Sequence, residues 1–114
     1  MAEEYELLNE LNMLCDKLTI TGRQLKRYGN EKAEAERDYK IALRQEALKL
    51  RAEKGMPVTL IQQVVYGVPE VAEKRFRRDV AETMWATCME SINVLKLKIR
   101  ILDAQISREW GNAK

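Results

Sequence analysis

The side chains able to do chemistry form a short inventory, and one type is missing from it altogether. The 114-residue sequence contains no histidine, so the commonest general base and the commonest neutral metal ligand are both absent. Two thiols remain, Cys15 and Cys88. Each lies inside an apolar helical pattern, where a cysteine acts as a small buried hydrophobe, and two thiols without histidine make no metal site. Glu31, Glu34 and Asp38 can share one helix face, but Lys and Arg are interleaved with them, which is the pattern of a solvated surface. No nucleophile stands beside a base, and Gly22 and Gly29 are too far apart for a phosphate-cradling loop. These absences point away from an enzyme, and no cofactor is expected.

Two basic groups are left. Lys74, Arg75, Arg77 and Arg78 follow the start of the last helix, with Tyr66 and Phe76 nearby. Phosphate contact there would make the chain a nucleic-acid accessory protein; the competing expectation is a solvated rim paired with Glu70, Glu73, Asp79 and Glu82. Lys96, Lys98 and Arg100 alternate with apolar residues, a spacing that scatters charge around a helix. Overall charge is +2, from 20 basic and 18 acidic residues, without the basic excess typical of polyanion binders.

The elements carrying these groups are helical. Of the residues, 46% are apolar and 33% charged, with only two Pro and five Gly. That composition suits long helices with exposed charged faces. From Glu3 to about Lys54 a seam runs through Leu7, Leu11, Leu14, Leu18, Thr21, Leu25 and Tyr28, alternating four and three residues, the heptad period. It continues through Lys32, Ala35, Tyr39 and Ala42 and drifts to Leu43, Ala47 and Leu50. Glu36 and Lys40 have the favourable i, i+4 order. Gly22 and Gly29 interrupt the segment, but the seam keeps phase through both, so one continuous helix is expected, with a break near Gly29 as the alternative.

Gly55-Met56-Pro57 ends this helix. Thr59 and Gln62 read as a capping box opening a short helix, 59–66, that is apolar for a connection. Pro69 suits the first turn of the last helix, which runs to about Trp110, before Gly111. Its seam is Ala81, Trp85, Cys88, Ile92, Leu95, Ile99, Leu102 and Ile106, extended by Phe76 and Val80. The expected fold is all-α and a single helical domain over 1–114. It is a long antiparallel helical hairpin, coiled-coil-like, with helices 3–54 and 69–110 and a short helix in the connection. With the turn centred near residue 61, Ala35, Tyr39 and Ala42 fall opposite Trp85, Ala81 and Val80. Tyr28 falls near Val94, Leu14 near Arg108, and Cys15 near Ser107, far from Cys88, so no disulfide is expected.

A hairpin buries one face of each helix, and one apolar line is left over. Val94, Leu97, Ile101 and Ala104 lie off the main seam, with a weaker counterpart in Leu8, Met13 and Ile20. Self-association into a four-helix dimer would cover them. The alternatives are docking of the short middle helix and a foreign protein. The apolar tip, Val58, Leu60, Ile61, Val64, Val65 and Tyr66, either caps the hairpin or engages a protein partner.

Several runs resemble small helical proteins encoded by phages and prophages of Gram-positive bacteria. They are Lys32-Ala-Glu-Ala-Glu-Arg-Asp-Tyr39, Val58-Thr-Leu-Ile61, Asn93-Val-Leu-Lys-Leu97 and Ile106-Ser-Arg-Glu-Trp110. The resemblance covers most of the chain and carries no assigned catalytic or binding residue. It implies a phage accessory protein in the bacterial cytoplasm, acting on a host factor or assisting phage DNA metabolism. The acidic opening Met1-Ala2-Glu3-Glu4 has no apolar core, so no signal peptide is expected, and no apolar run reaches membrane-spanning length. The expected function is therefore non-enzymatic protein–protein interaction, as a homodimer and with a host or phage protein. Nucleic-acid binding and a structural spacer role are the alternatives.

Overall fold

The computed structural model describes residues 2–112, and Met1, in the acidic opening segment, lies outside them. Helix α1 spans Ala2–Lys54, helix α2 Val58–Val64, a 3₁₀ turn Val65–Gly67 and helix α3 Pro69–Asn112. The described residues contain no strand. The chain divides into two compact units. Among the described residues, unit 1 holds 2–27 and 86–112, and unit 2 holds 28–85.

Helix α1 passes through both glycines without a break. The run Thr19-Ile20-Thr21 is poor helix former by propensity. Its hydroxyls are absorbed by the helix: Thr19 Oγ1 donates to the Cys15 carbonyl at 3.2 Å and Thr21 Oγ1 to the Lys17 carbonyl at 2.7 Å, the i−4 back-bond open to Thr. The end of α1 is as the sequence indicates. Gly55 has φ +60°, its N–H donates to the Arg51 carbonyl at 3.1 Å, and this is the left-handed cap that favours glycine. Pro69 begins α3, and the Val68 carbonyl accepts the Ala72 N–H at 2.9 Å. Gly111 does not stop α3, which continues to Asn112.

The capping box does not form. Helix α2 starts one residue earlier than expected, at Val58, and its N-cap is Pro57, with no side-chain cap. The ring fixes Pro57 in an extended conformation, φ −60° and ψ 145°. Its carbonyl then accepts from Leu60 and Ile61, each at 3.0 Å, so Thr59 falls inside the first turn, where it cannot cap.

Unit 2 is a helical hairpin. Its core is Tyr39, Ile61, Val65 and Val71, with Leu43, Ala47, Leu50, Met56 and Val68 packed around it. Val71 is fully buried. Helix α2 and the 3₁₀ turn thus fold back along the last turns of α1. A symmetric bend at residue 61 is therefore wrong, and the expected register shifts by roughly one to two helical turns. Trp85 lies against Gly29 and Lys32 instead of Ala35. Arg78, rather than Ala81, lies over Tyr39. The α3 seam also differs: it reaches the core through Val71, with Lys74 and Arg78 half-buried between, while Phe76 and Val80 are exposed. Arginine and lysine stems can line a seam while their heads stay wet, which an apolar pattern does not reveal.

In unit 1 the first half of α1 runs antiparallel to the last half of α3. Cys88 Sγ lies 3.6 Å from the Thr21 carbonyl, and further along Leu14 shares a groove with Ile101 and Leu102, not with Arg108. Cys88, Leu102 and Ile106 are the buried hydrophobes here. Cys15 is exposed, contrary to its placement as a core residue, and both thiols are free. It flanks the seam position Leu14 and lines a groove with Ile99, Arg100 and Asp103, rather than approaching Ser107.

Candidate interaction surfaces

The basic cluster is bound into the surface of unit 2. Arg77 Nε donates to Glu73 Oε1 at 3.0 Å. Arg78 donates twice to Asp79 Oδ1, at 3.1 and 2.9 Å, approaches Glu36 at 3.7 Å and stacks 4.5 Å above the Tyr39 ring. Its pKa is pushed further up, first by the hydrogen bond to Asp79, with the charges of Asp79 and Glu36 adding to it. Arg75 sits 5.5 Å over the Tyr66 ring. Lys74 and Arg77 border a cleft whose other charges are Glu31, Glu34 and Asp38. Each cation here has acidic or aromatic company, and the field such a cluster would project to a polyanion is weakened accordingly. The acidic trio does share a face, and it is one lined by cations. Among the described residues, no group of three or more His, Cys, Asp or Glu is placed to hold a metal ion.

The tip residues divide. Ile61 and Val65 belong to the core of unit 2, whereas Val58, Leu60, Val64 and Tyr66 are exposed. A seven-residue helix has one inner and one outer face. Capping and exposure are thus both realised, by different residues of the same segment. A partner would meet only the outer four.

Unit 1 carries the leftover apolar line. Leu97 is 53% exposed and Ile101 58%, and Val94 and Ala104 are exposed with them. Helix α2 packs on Tyr39 within unit 2. On α1, Met13 is 60% exposed and Ile20 is also exposed, while Leu8 is half-buried. Met13 and Ile101 meet across a groove of about 550 Å³ floored by Leu14 and Leu102 and rimmed by Glu10, Lys17 and Lys98. Sequence reasoning noted Met13 only as part of a weak line. Its place opposite Ile101 depends on the register, which periodicity leaves open. Unit 2 exposes two further apolar sets: Phe76 and Val80, expected in the α3 seam, together with Met84, and Ile41 with Leu48 on α1, which the sequence reading left unassigned. The i, i+4, i+8 spacing of the first is a signal that was available.

No helix among the described residues is long and apolar enough to cross a membrane. Comparison with protein-family models, curated proteins and solved structures yields no match.

Proposed function

We propose that this chain is a non-enzymatic interaction protein, of the phage accessory kind its sequence resembles, that self-associates through Val94, Leu97, Ile101 and Ala104. One observation carries the reading: unit 1 leaves a line of large aliphatic side chains in water on α3, with Met13 and Ile20 beside it on α1. Exposed apolar groups set in a row and rimmed by charge mark association sites. Val58, Leu60, Val64 and Tyr66 offer a second, smaller surface for a host or phage protein.

The absence of histidine and of any buried polar or charged side chain among the described residues supports a role without catalysis. Nucleic-acid binding draws less support, because Arg75, Arg77 and Arg78 are each engaged within the chain.

Light scattering tests the self-association. The wild type is expected as a dimer, and the Leu97→Glu, Ile101→Glu double variant as a monomer of unchanged helical circular dichroism. A monomeric wild type would remove the reading.

A further inference from the structure

The groove of unit 1 has an apolar centre and a rim of both signs. Glu10 precedes Met13 by three residues and Lys17 follows it by four, on the same edge. Seven residues of helix separate these two charges by about 10.5 Å, too far for an ion pair with each other. Neither makes an ion pair among the described residues. On the α3 edge Ile101 is opposite Met13, and Lys98 lies near the level of Lys17.

A patch of this kind is complementary to itself. Rotation by 180° about an axis through Met13, perpendicular to the helix, exchanges the acidic end for the basic end. Isologous contacts between identical chains require that property. We propose that a second copy of this chain fills the groove, across a two-fold axis perpendicular to the helices and level with Met13 and Ile101. Helix α1 then lies antiparallel to α1 of the second copy. Glu10 of each chain faces Lys17 of the other, Met13 and Ile101 meet their counterparts at the axis, and Leu97 falls level with Ala104 and Gln105.

The charges also select against the other way of closing a dimer on this face. An axis parallel to the helices would lay α1 against α3 of the second copy at unchanged height. Lys17 would then meet Lys98, and Glu10 would meet Gln105, a neutral amide. Like charges placed together oppose association, so the rim favours the antiparallel α1 pairing and fixes its register.

This inference rests on the self-association reading and adds the geometry of the pair. Two measurements test it, with helical circular dichroism as the control for every variant. In a Cys15→Ser background, Met13→Cys is expected to give a disulfide-linked dimer on mild oxidation, because the axis brings the two sites together. Ile20→Cys is expected to stay unlinked, since its two copies lie about 20 Å apart, beyond disulfide reach. In the second measurement Glu10→Lys and Lys17→Glu each weaken the dimer about tenfold, and the double variant, which recreates both cross-copy pairs, returns to within about threefold of wild type. A dimer in which Ile20→Cys links as readily as Met13→Cys, or in which the double variant is no tighter than the singles, overturns the register and leaves the self-association standing. A wild-type monomer by light scattering overturns both.

Discussion

Gly29 and Gly22 sit in mid-helix in different surroundings, and neither has a structural reason to be glycine. The Trp85 indole lies over Gly29, and a Cβ there would meet Trp85 Cδ1 and Nε1 at 3.7 Å, an ordinary contact; at Gly22 a Cβ would meet nothing within 4 Å. Neither site needs glycine for space. Gly29→Ala and Gly22→Ala are each expected to stabilise the fold by up to ~1 kcal/mol, the helix-interior cost of glycine relative to alanine, read as a higher urea midpoint at unchanged slope. Gly55 is the opposite case. With φ at +60°, Gly55→Ala forces an L-residue into the left-handed region and is expected to cost about 1 kcal/mol. Lys32 adds a second role for Trp85, with its Nζ 4.3 Å from the ring centroid, a cation–π contact that the spacing of the seam through Lys32 does not reveal.

At the scale of elements, the connection decides how unit 2 is assembled. Ile61 and Val65 anchor α2 and the 3₁₀ turn against Tyr39 and Val71. Val65→Asp places a carboxylate where the side chain is almost fully enclosed, so a loss of several kcal/mol is expected, enough to unfold a domain of ordinary stability. Val71→Ala removes two buried methyl groups and is expected to cost about 2 kcal/mol. Leu60→Asp with Val64→Asp falls on the outer face and is expected to leave the melting temperature within a degree or two of wild type. A thermal melt of the three variants separates these outcomes. The end of α1, the start of α3 and the continuity of α1 were legible in the sequence because Gly55, Pro57 and Pro69 act locally, through φ and a missing donor, and because the Leu7–Tyr28 seam keeps phase; Thr59 and Gly111 misplaced the start of α2 and the end of α3. Register was not legible. A heptad seam slides by seven residues with little change in pattern, and what fixes it here is the direction in which α2 folds back. The half-burial of Arg78 was equally hidden, since its stem packs while its head pairs with Asp79 and Glu36. Of the expected surfaces, the exposed line on α3 was readable from its offset spacing, whereas the division of the tip into Ile61 and Val65 inside and Leu60 and Val64 outside required the inner face of α2 to be known.

At the scale of the molecule, the proposed self-association would make stability depend on protein concentration. The melting temperature of the wild type is expected to rise with concentration over a hundredfold range, and that of Leu97→Glu, Ile101→Glu to stay flat. A flat wild-type profile would count against the dimer. Lys17 and Lys98 at the groove are exposed cations of unit 1, and a dimer closed there is expected to respond to salt through them.

The two cysteines also give the chain a built-in clock. Cys15 is open to reagent and Cys88 is enclosed, its sulfur turned to the Thr21 carbonyl. A thiol-alkylating agent therefore adds one mass increment to the native molecule at once. The second increment arrives only when unit 1 opens, and its rate counts those openings in unmodified wild-type protein, without a dye or an engineered site.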